Sequence, residues 1–218
     1  MKKMLLSAVV LALCLTACKT DVKVETDEKS ADTIATATPD TAETAEAEKP
    51  LDSVAEMKAW EAYMTPGDAH KMMAAETGTW TADMTFWHGP DSPAQKATTT
   101  ANIKMIMGGR YQQSDYKGNV MGMPFEGHGM LAFDNATKQY TSTWIDNMGT
   151  GMMVMKGEMS GDSKTIELHG EMVDPARGKA IKCREVYTMV DANTRKMEMF
   201  DNKGGKEYKM MEIVMKRK

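Results

Sequence analysis

From Gly78 onward, apolar and polar residues alternate along the chain. Trp80, Ala82, Met84 and Phe86 alternate with Thr79, Thr81, Asp83 and Thr85. Tyr140 and Trp144 alternate with Thr141, Thr143 and Ile145, and Ile166 and Leu168 with Thr165, Glu167 and His169. A period of two sends successive side chains to opposite faces of a strand. Bounded by Gly, Pro, Asn or Asp, these runs predict ten strands at roughly 79–88, 97–107, 110–117, 125–133, 138–146, 150–159, 164–173, 180–190, 195–201 and 206–216. The connections are short, as a meander of hairpins requires. The expected fold is all-β, an antiparallel up-and-down barrel of about ten strands that closes its own edges.

A short helical segment is expected before the strands. Val54, Met57, Trp60, Glu61 and Met64 give a ragged amphipathic pattern. Thr65-Pro66-Gly67-Asp68 then predicts a second helix start, with Thr65 as cap, Pro66 at the first helical position and Asp68 completing an acidic capping box. That helix is expected to run to Glu76 and stop before Gly78.

The N-terminus carries a different pattern. Met1-Lys2-Lys3 and a short apolar run at 4–13 precede Leu15-Thr16-Ala17-Cys18. The run is too short to span a bilayer, which takes about 20 apolar residues. The order resembles a bacterial lipoprotein signal peptide with its lipobox. The resemblance implies removal of residues 1–17 and lipidation of Cys18, a membrane partner reached through that anchor, and an envelope location. Lys19 stands where an aspartate would resemble an inner-membrane retention signal, which favours the outer membrane. Residues 18–50 follow as an acidic tether without aromatic residues, expected to be disordered. Residues 51–218 form the barrel domain. Cys14 leaves with the signal and Cys18 carries lipid, so Cys183 is the one remaining thiol and no internal disulfide is expected. It is expected to be a buried, small apolar residue.

Charge narrows the partners. The tether holds four lysines against nine acids, the leader adds two lysines, and the whole chain is −4, which leaves the domain near −1. A near-neutral domain argues against nucleic acid, which needs a clustered basic face. A membrane-spanning barrel is disfavoured because Lys104, Asp115, Glu158, Glu185, Glu198 and Lys209 interrupt the rows that lipid would face.

Several residues form an ordered set. Gly78-Thr79-Trp80 opens the first strand after a short helix. Gly108-Gly109-Arg110-Tyr111 precedes Gly122-Met123-Pro124-Phe125-Glu126-Gly127-His128-Gly129, followed by Phe133-Asp134, Tyr140 and Trp144-Ile145-Asp146, with Glu212-Ile213 and Arg217 at the end. This set, over about 66–217, resembles the bacterial family called domain of unknown function 1579, grouped with calycin-like barrels. The resemblance implies a calycin-like barrel in which Arg217 covers Trp80 at one end, a structural role. Ala132-Phe133-Asp134 departs from the family's usual Gly-Tyr-Asp and removes a hydroxyl.

The candidate chemistry is sparse. No nucleophile elbow, phosphate loop or zinc-hydrolase His-Glu-x-x-His occurs. An enzyme is not expected, and no cofactor is implied. Met residues number 24, with Met-x-Met pairs at 105/107, 121/123, 153/155 and 197/199. Thioethers suit Cu(I), so Met121, Met123 and His128 are a candidate metal set. The alternative is that methionine fills a lumen as adaptable lining. His70 is expected to be solvated or capping, and His169 exposed beside Glu167 and Glu171. The favoured function is binding of a small apolar or amphipathic ligand, with Trp87, Phe125, Tyr140 and Trp144 as walls and His128 as a polar contact. A fully packed interaction module remains the other alternative, and a cavity of roughly 300 Å³ or more separates the two.

Overall fold

The computed structural model describes residues 52–176, 178–203 and 205–218. The leader, Cys18 and the whole tether lie outside the described residues. Two helices, α1 (Ser53–Met64) and α2 (Asp68–Ala74), precede ten strands. These are β1 (Gly78–Phe86), β2 (Gln95–Ile106), β3 (Tyr111–Val120), β4 (Met123–Phe133) and β5 (Tyr140–Asp146). Then come β6 (Met153–Met159), β7 (Thr165–Asp174), β8 (Lys179–Asp191), β9 (Thr194–Lys203) and β10 (Lys206–Arg217). Each pairs antiparallel with its neighbour in sequence, and β1 also pairs with β10 from Trp80–Arg217 to Phe86–Met211. The ring is closed, as the alternating pattern predicts. β3 runs past its expected end because Met121 and Gly122, at φ 52° and 79°, make a two-residue primed turn that keeps both strands in register.

Inward positions carry the core: Trp80, Ala82 and Met84 on β1, Ile166 and Leu168 on β7, and Ile213 and Met215 on β10 are all buried. Outward positions carry charge, including a network of Lys196, Glu198, Lys209 and Glu212. Glu185 corrects the expected outer row. It shares its face of β8 with Cys183 and is only 8% exposed, so it points inward.

The helices differ from expectation. Asp52 caps α1 by accepting from the Val54 and Ala55 amides, but the helix buries no residue, so its apolar positions do not form a core-facing stripe. It is held at its end, where Arg110 donates to the Met64 carbonyl and Asn135 to the Thr65 carbonyl. Thr65 closes α1, its amide and hydroxyl both donating to the Glu61 carbonyl. Gly67, not Thr65, caps α2, and its amide donates to Nδ1 of His70 at 3.0 Å. His70 is therefore a capping residue as expected, but it is buried rather than solvated, its ring edge-on to Phe133 at 5.9 Å. α2 stops at Ala74 rather than at Glu76.

Beyond α2 the chain seals one end of the barrel. The Trp80 indole donates to the Glu76 carbonyl at 2.9 Å, and the Arg217 guanidinium lies 4.3 Å from the Trp80 ring centroid. Arg217 also donates to the Thr77 and Ala75 carbonyls. Gly78 sits at φ 139°, and a Cβ there would lie 2.9 Å from Arg217 Nη1, which accounts for the glycine of Gly-x-Trp. The Glu76 side chain accepts from Arg195 Nε (2.7 Å), Gln112 Nε2 (3.0 Å) and the Tyr187 hydroxyl (2.9 Å).

Trp80 is fully buried at this junction. Trp80→Ala is expected to lower the unfolding free energy of the full chain by about 3–5 kcal/mol, read from urea denaturation. An unchanged midpoint would contradict the structural role of this ring.

Candidate functional site

Above the sealed floor the barrel is hollow. A cavity of about 340 Å³ occupies the lumen. Of its 27 lining residues, 11 are methionine. It reaches the opposite end, where Met121 of the β3–β4 turn and Met148 of the β5–β6 connection stand at the mouth.

Two expected wall residues meet there. Phe125 and Trp144 stack at 6.4 Å with an interplanar angle of 21°, and Tyr116 meets Trp144 edge-on at 5.2 Å. The indole of Trp144 is fixed by donation to Asp146 Oδ2 at 2.7 Å. It lies over Gly127 and Gly129 of the neighbouring strand. A Cβ on Gly127 would come within 2.4 Å of the Trp144 ring, and one on Gly129 within 2.6 Å of Ser114 Oγ. The two glycines of Gly127-His128-Gly129 are therefore the space that this aromatic wall occupies.

The other expected contacts lie elsewhere. His128 sits between those glycines and so projects from the outer wall, where its Nδ1 meets Asp115 Oδ1 at 2.7 Å. Burial pulls the Asp115 carboxyl up, but the hydrogen bonds from His128 and Gln113 outweigh it and hold the group below its ordinary value. Trp87 follows inward Phe86 and has the opposite parity. It borders a second pocket of about 500 Å³ at the rim, formed with β7, β8, β9 and β10 residues and sharing Met172 and Met210 with the lumen, with Lys209 Nζ 5.5 Å from its ring. Tyr140 does point inward and is buried, but it packs on Phe133 at 4.8 Å near the sealed end and does not line the cavity. The candidate metal set is not assembled. Met121 is at the mouth, Met123 is exposed, and His128 is five residues farther along β4, about 17 Å from Met123 at ~3.4 Å per residue. No group of three or more His, Cys, Asp or Glu that could hold a metal occurs among the described residues. Glu126 pairs with exposed Lys117, Asp134 caps its own turn, and Asp146 holds Trp144, so these acids form no cluster with His128. His169 is exposed beside Glu167, as its parity predicts.

Sequence reasoning missed the main polar feature of the lumen. Glu185 lines the cavity at mid-strand, opposite Leu168 on β7 and Met199 on β9. No donor among the described residues hydrogen-bonds its carboxylate, which faces the cavity. Burial pushes its pKa up to about 7. The nearby Cys183 thiol is pushed up to about 11 by burial and then by the Glu185 charge, which keeps it protonated and unreactive. The signal was present: Cys183 was read as buried, and Glu185 is two residues along the same strand.

A closed antiparallel barrel with a sealed floor, an open mouth and an apolar lumen defines the class. The chain belongs to the family described as Protein of unknown function (DUF1579), whose model matches residues 65–217. No curated protein matches the sequence. The chain is similar to the crystal structure of Rv2717c from M. tuberculosis, with 13% identity and a TM-score of 0.52 over 71% of this chain and 99% of that one. It is also similar to a redesigned β-barrel, with 13% identity and a TM-score of 0.35 over 67% and 94% of the two chains. The likeness to Rv2717c concerns the fold alone.

Glu185 makes stability depend on pH with a definite sign. Its folded pKa lies above the unfolded value near 4.5, so the folded state holds the proton more tightly between about pH 4.5 and 7. Stability contributed by the protonated group is present below that window and is lost as pH rises through it. Glu185→Gln is therefore expected to gain about 2 kcal/mol relative to the parent chain between pH 5 and pH 8. Urea denaturation at the two pH values measures the change, and a pH-independent difference would refute the assignment.

Proposed function

We propose that this domain binds a small apolar or amphipathic molecule inside the barrel. The observation that carries the reading is the cavity of about 340 Å³, lined mainly by Met, Leu, Ile and aromatic side chains. Ligand sites commonly begin at about 300 Å³ and combine apolar walls with few polar groups. A packed interaction module has no use for such a void. Each unfilled methyl-sized space costs stability of order 1 kcal/mol, because its walls lose dispersion contacts.

The full chain is expected to bind 1-decanol saturably with one site per molecule, measured by isothermal titration calorimetry. Leu168→Trp, which places a larger ring in the lumen, is expected to weaken that binding by about tenfold or more. Ser142→Phe, on β5 two strands away, gives the same reading if Leu168→Trp disturbs the circular dichroism. Absence of saturable binding by the parent chain would overturn the proposal.

We propose that Cys18 is acylated after removal of residues 1–17, on the strength of the leader and lipobox pattern. Cells expressing the full chain and fed labelled palmitate are expected to incorporate label into it, and Cys18→Ala is expected to abolish incorporation. Equal labelling of both chains would refute the anchor.

A further inference from the structure

The lumen is not uniformly apolar, and the one unpartnered acid that the described residues place in it says something about the occupant. We propose that Glu185 receives the head of the ligand, and that this head is a protonated amine on an apolar body. The inference rests on the reading of the lumen as a binding site.

Glu185 is 8% exposed and contributes directly to the cavity wall. Its neighbours on the adjacent strands are Leu168 and Met199, which can offer it no hydrogen bond. The cations at the sealed end are engaged elsewhere. Arg195 holds Glu76 and the Asp191 and Thr194 carbonyls, and Arg217 holds the Thr77 and Ala75 carbonyls and stacks on Trp80. The Tyr116 hydroxyl donates to Met215 Sδ at 3.3 Å and the Tyr187 hydroxyl to Glu76 at 2.9 Å. The described residues thus supply no counter-charge to Glu185, whose carboxylate opens onto the lumen, and a largely desolvated carboxylate without a partner is disfavoured. A ligand that brings the missing donor removes that cost. A carboxylate or phosphate head would be repelled. An alcohol offers one neutral donor, whereas an ammonium offers three and cancels the charge.

The interaction has a pH signature. The titratable and charged groups on the inner face among the described residues, besides Glu185, include Cys183 and Tyr187 on β8, Tyr116 on β3, Asp146 on β5, Arg195 and Asp201 on β9, and Glu76 and Tyr140 at the floor. β7 presents Ile166, Leu168, Gly170 and Met172 on this face. Burial pushes Cys183, Tyr116 and Tyr187 upward, so they keep their protons through the range in which Glu185 ionises. Amine binding should therefore strengthen from pH 5.5 to pH 8 as the Glu185 carboxyl loses its proton.

The test compares decylamine, 1-decanol and decanoate with the full chain by calorimetry, below their micellar concentrations. At pH 8 decylamine is expected to bind roughly 10- to 100-fold more tightly than 1-decanol. Glu185→Gln should abolish that preference, and Glu185→Asp, which keeps the charge, should retain it. Equal affinities for amine and alcohol in the parent chain would overturn the proposal, as would an amine preference that survives Glu185→Gln. Tightest binding of decanoate would also overturn it, since the carboxyl would then act as a protonated donor. Binding of none of the three would instead overturn the lumen reading, and this proposal with it.

Discussion

The barrel depends on what holds Glu76. Its carboxylate is 2% exposed and accepts from Gln112 on β3, Tyr187 on β8 and Arg195 on β9, while its backbone carbonyl accepts from Trp80 on β1. One residue just beyond a two-turn helix thus ties four strands together at one end. Removing one member of such a buried pair leaves an uncompensated charge, at a cost of about 3–5 kcal/mol. The hydrogen bonds are therefore mutually dependent. With α2 and this cluster across one end, Arg217 and Arg195 near the Trp80 ring close what the strands leave open. The lumen is left with one mouth.

The same interior contains a second glutamate treated in the opposite way. Glu76 is neutralised by a cation and two further donors. Glu185, also buried but open to the lumen, has Leu168 and Met199 beside it and a void in front of it. Its pKa near 7 reflects desolvation alone. Had the fold needed only a packed interior, a leucine at this position would remove the desolvation cost and fill space. Clustered cost of this kind, a void and an unpaired acid in one place, marks sites more often than scaffolds.

Much of the fold was legible because a closed barrel encodes itself locally. Alternation, turn residues and short connections predict ten antiparallel strands, and the strands observed agree to within a few positions. The Trp80–Arg217 contact was legible through Gly-x-Trp and the matching arginine. The site was less so, for a geometric reason. Parity decides which face is inside, and a residue one position off goes to the opposite wall. Trp87 fell outside because Phe86 is inside. His128 fell outside because Gly127 and Gly129 had to accommodate the Trp144 ring. Height along the barrel was invisible as well: Tyr140 has inward parity but belongs to the floor. Glu185 was passed over because a charged residue in an alternating strand ordinarily faces water, although its parity with Cys183 argued otherwise. α2 was misplaced because Gly67 and the His70 ring together provide a cap that the commoner Thr-Pro pattern obscured.

The methionines acquire a physical meaning in this setting. A lumen lined by 11 of them has walls that change shape at little cost, because an unbranched thioether has several accessible rotamers and a polarisable sulfur. Such walls discriminate poorly between apolar bodies of similar size. Selectivity must then come from the parts that do not move. Trp144 is fixed by Asp146 and by the two glycines beneath its ring. The floor is fixed by Glu76. Glu185 stands between them on a strand hydrogen-bonded on both sides. On the proposed binding role, a permissive lining around one rigid, unpaired acid would tolerate varied tails and select the head. That division follows from the chemistry of thioethers and carboxylates, and the barrel's role is to hold the two at a constant distance.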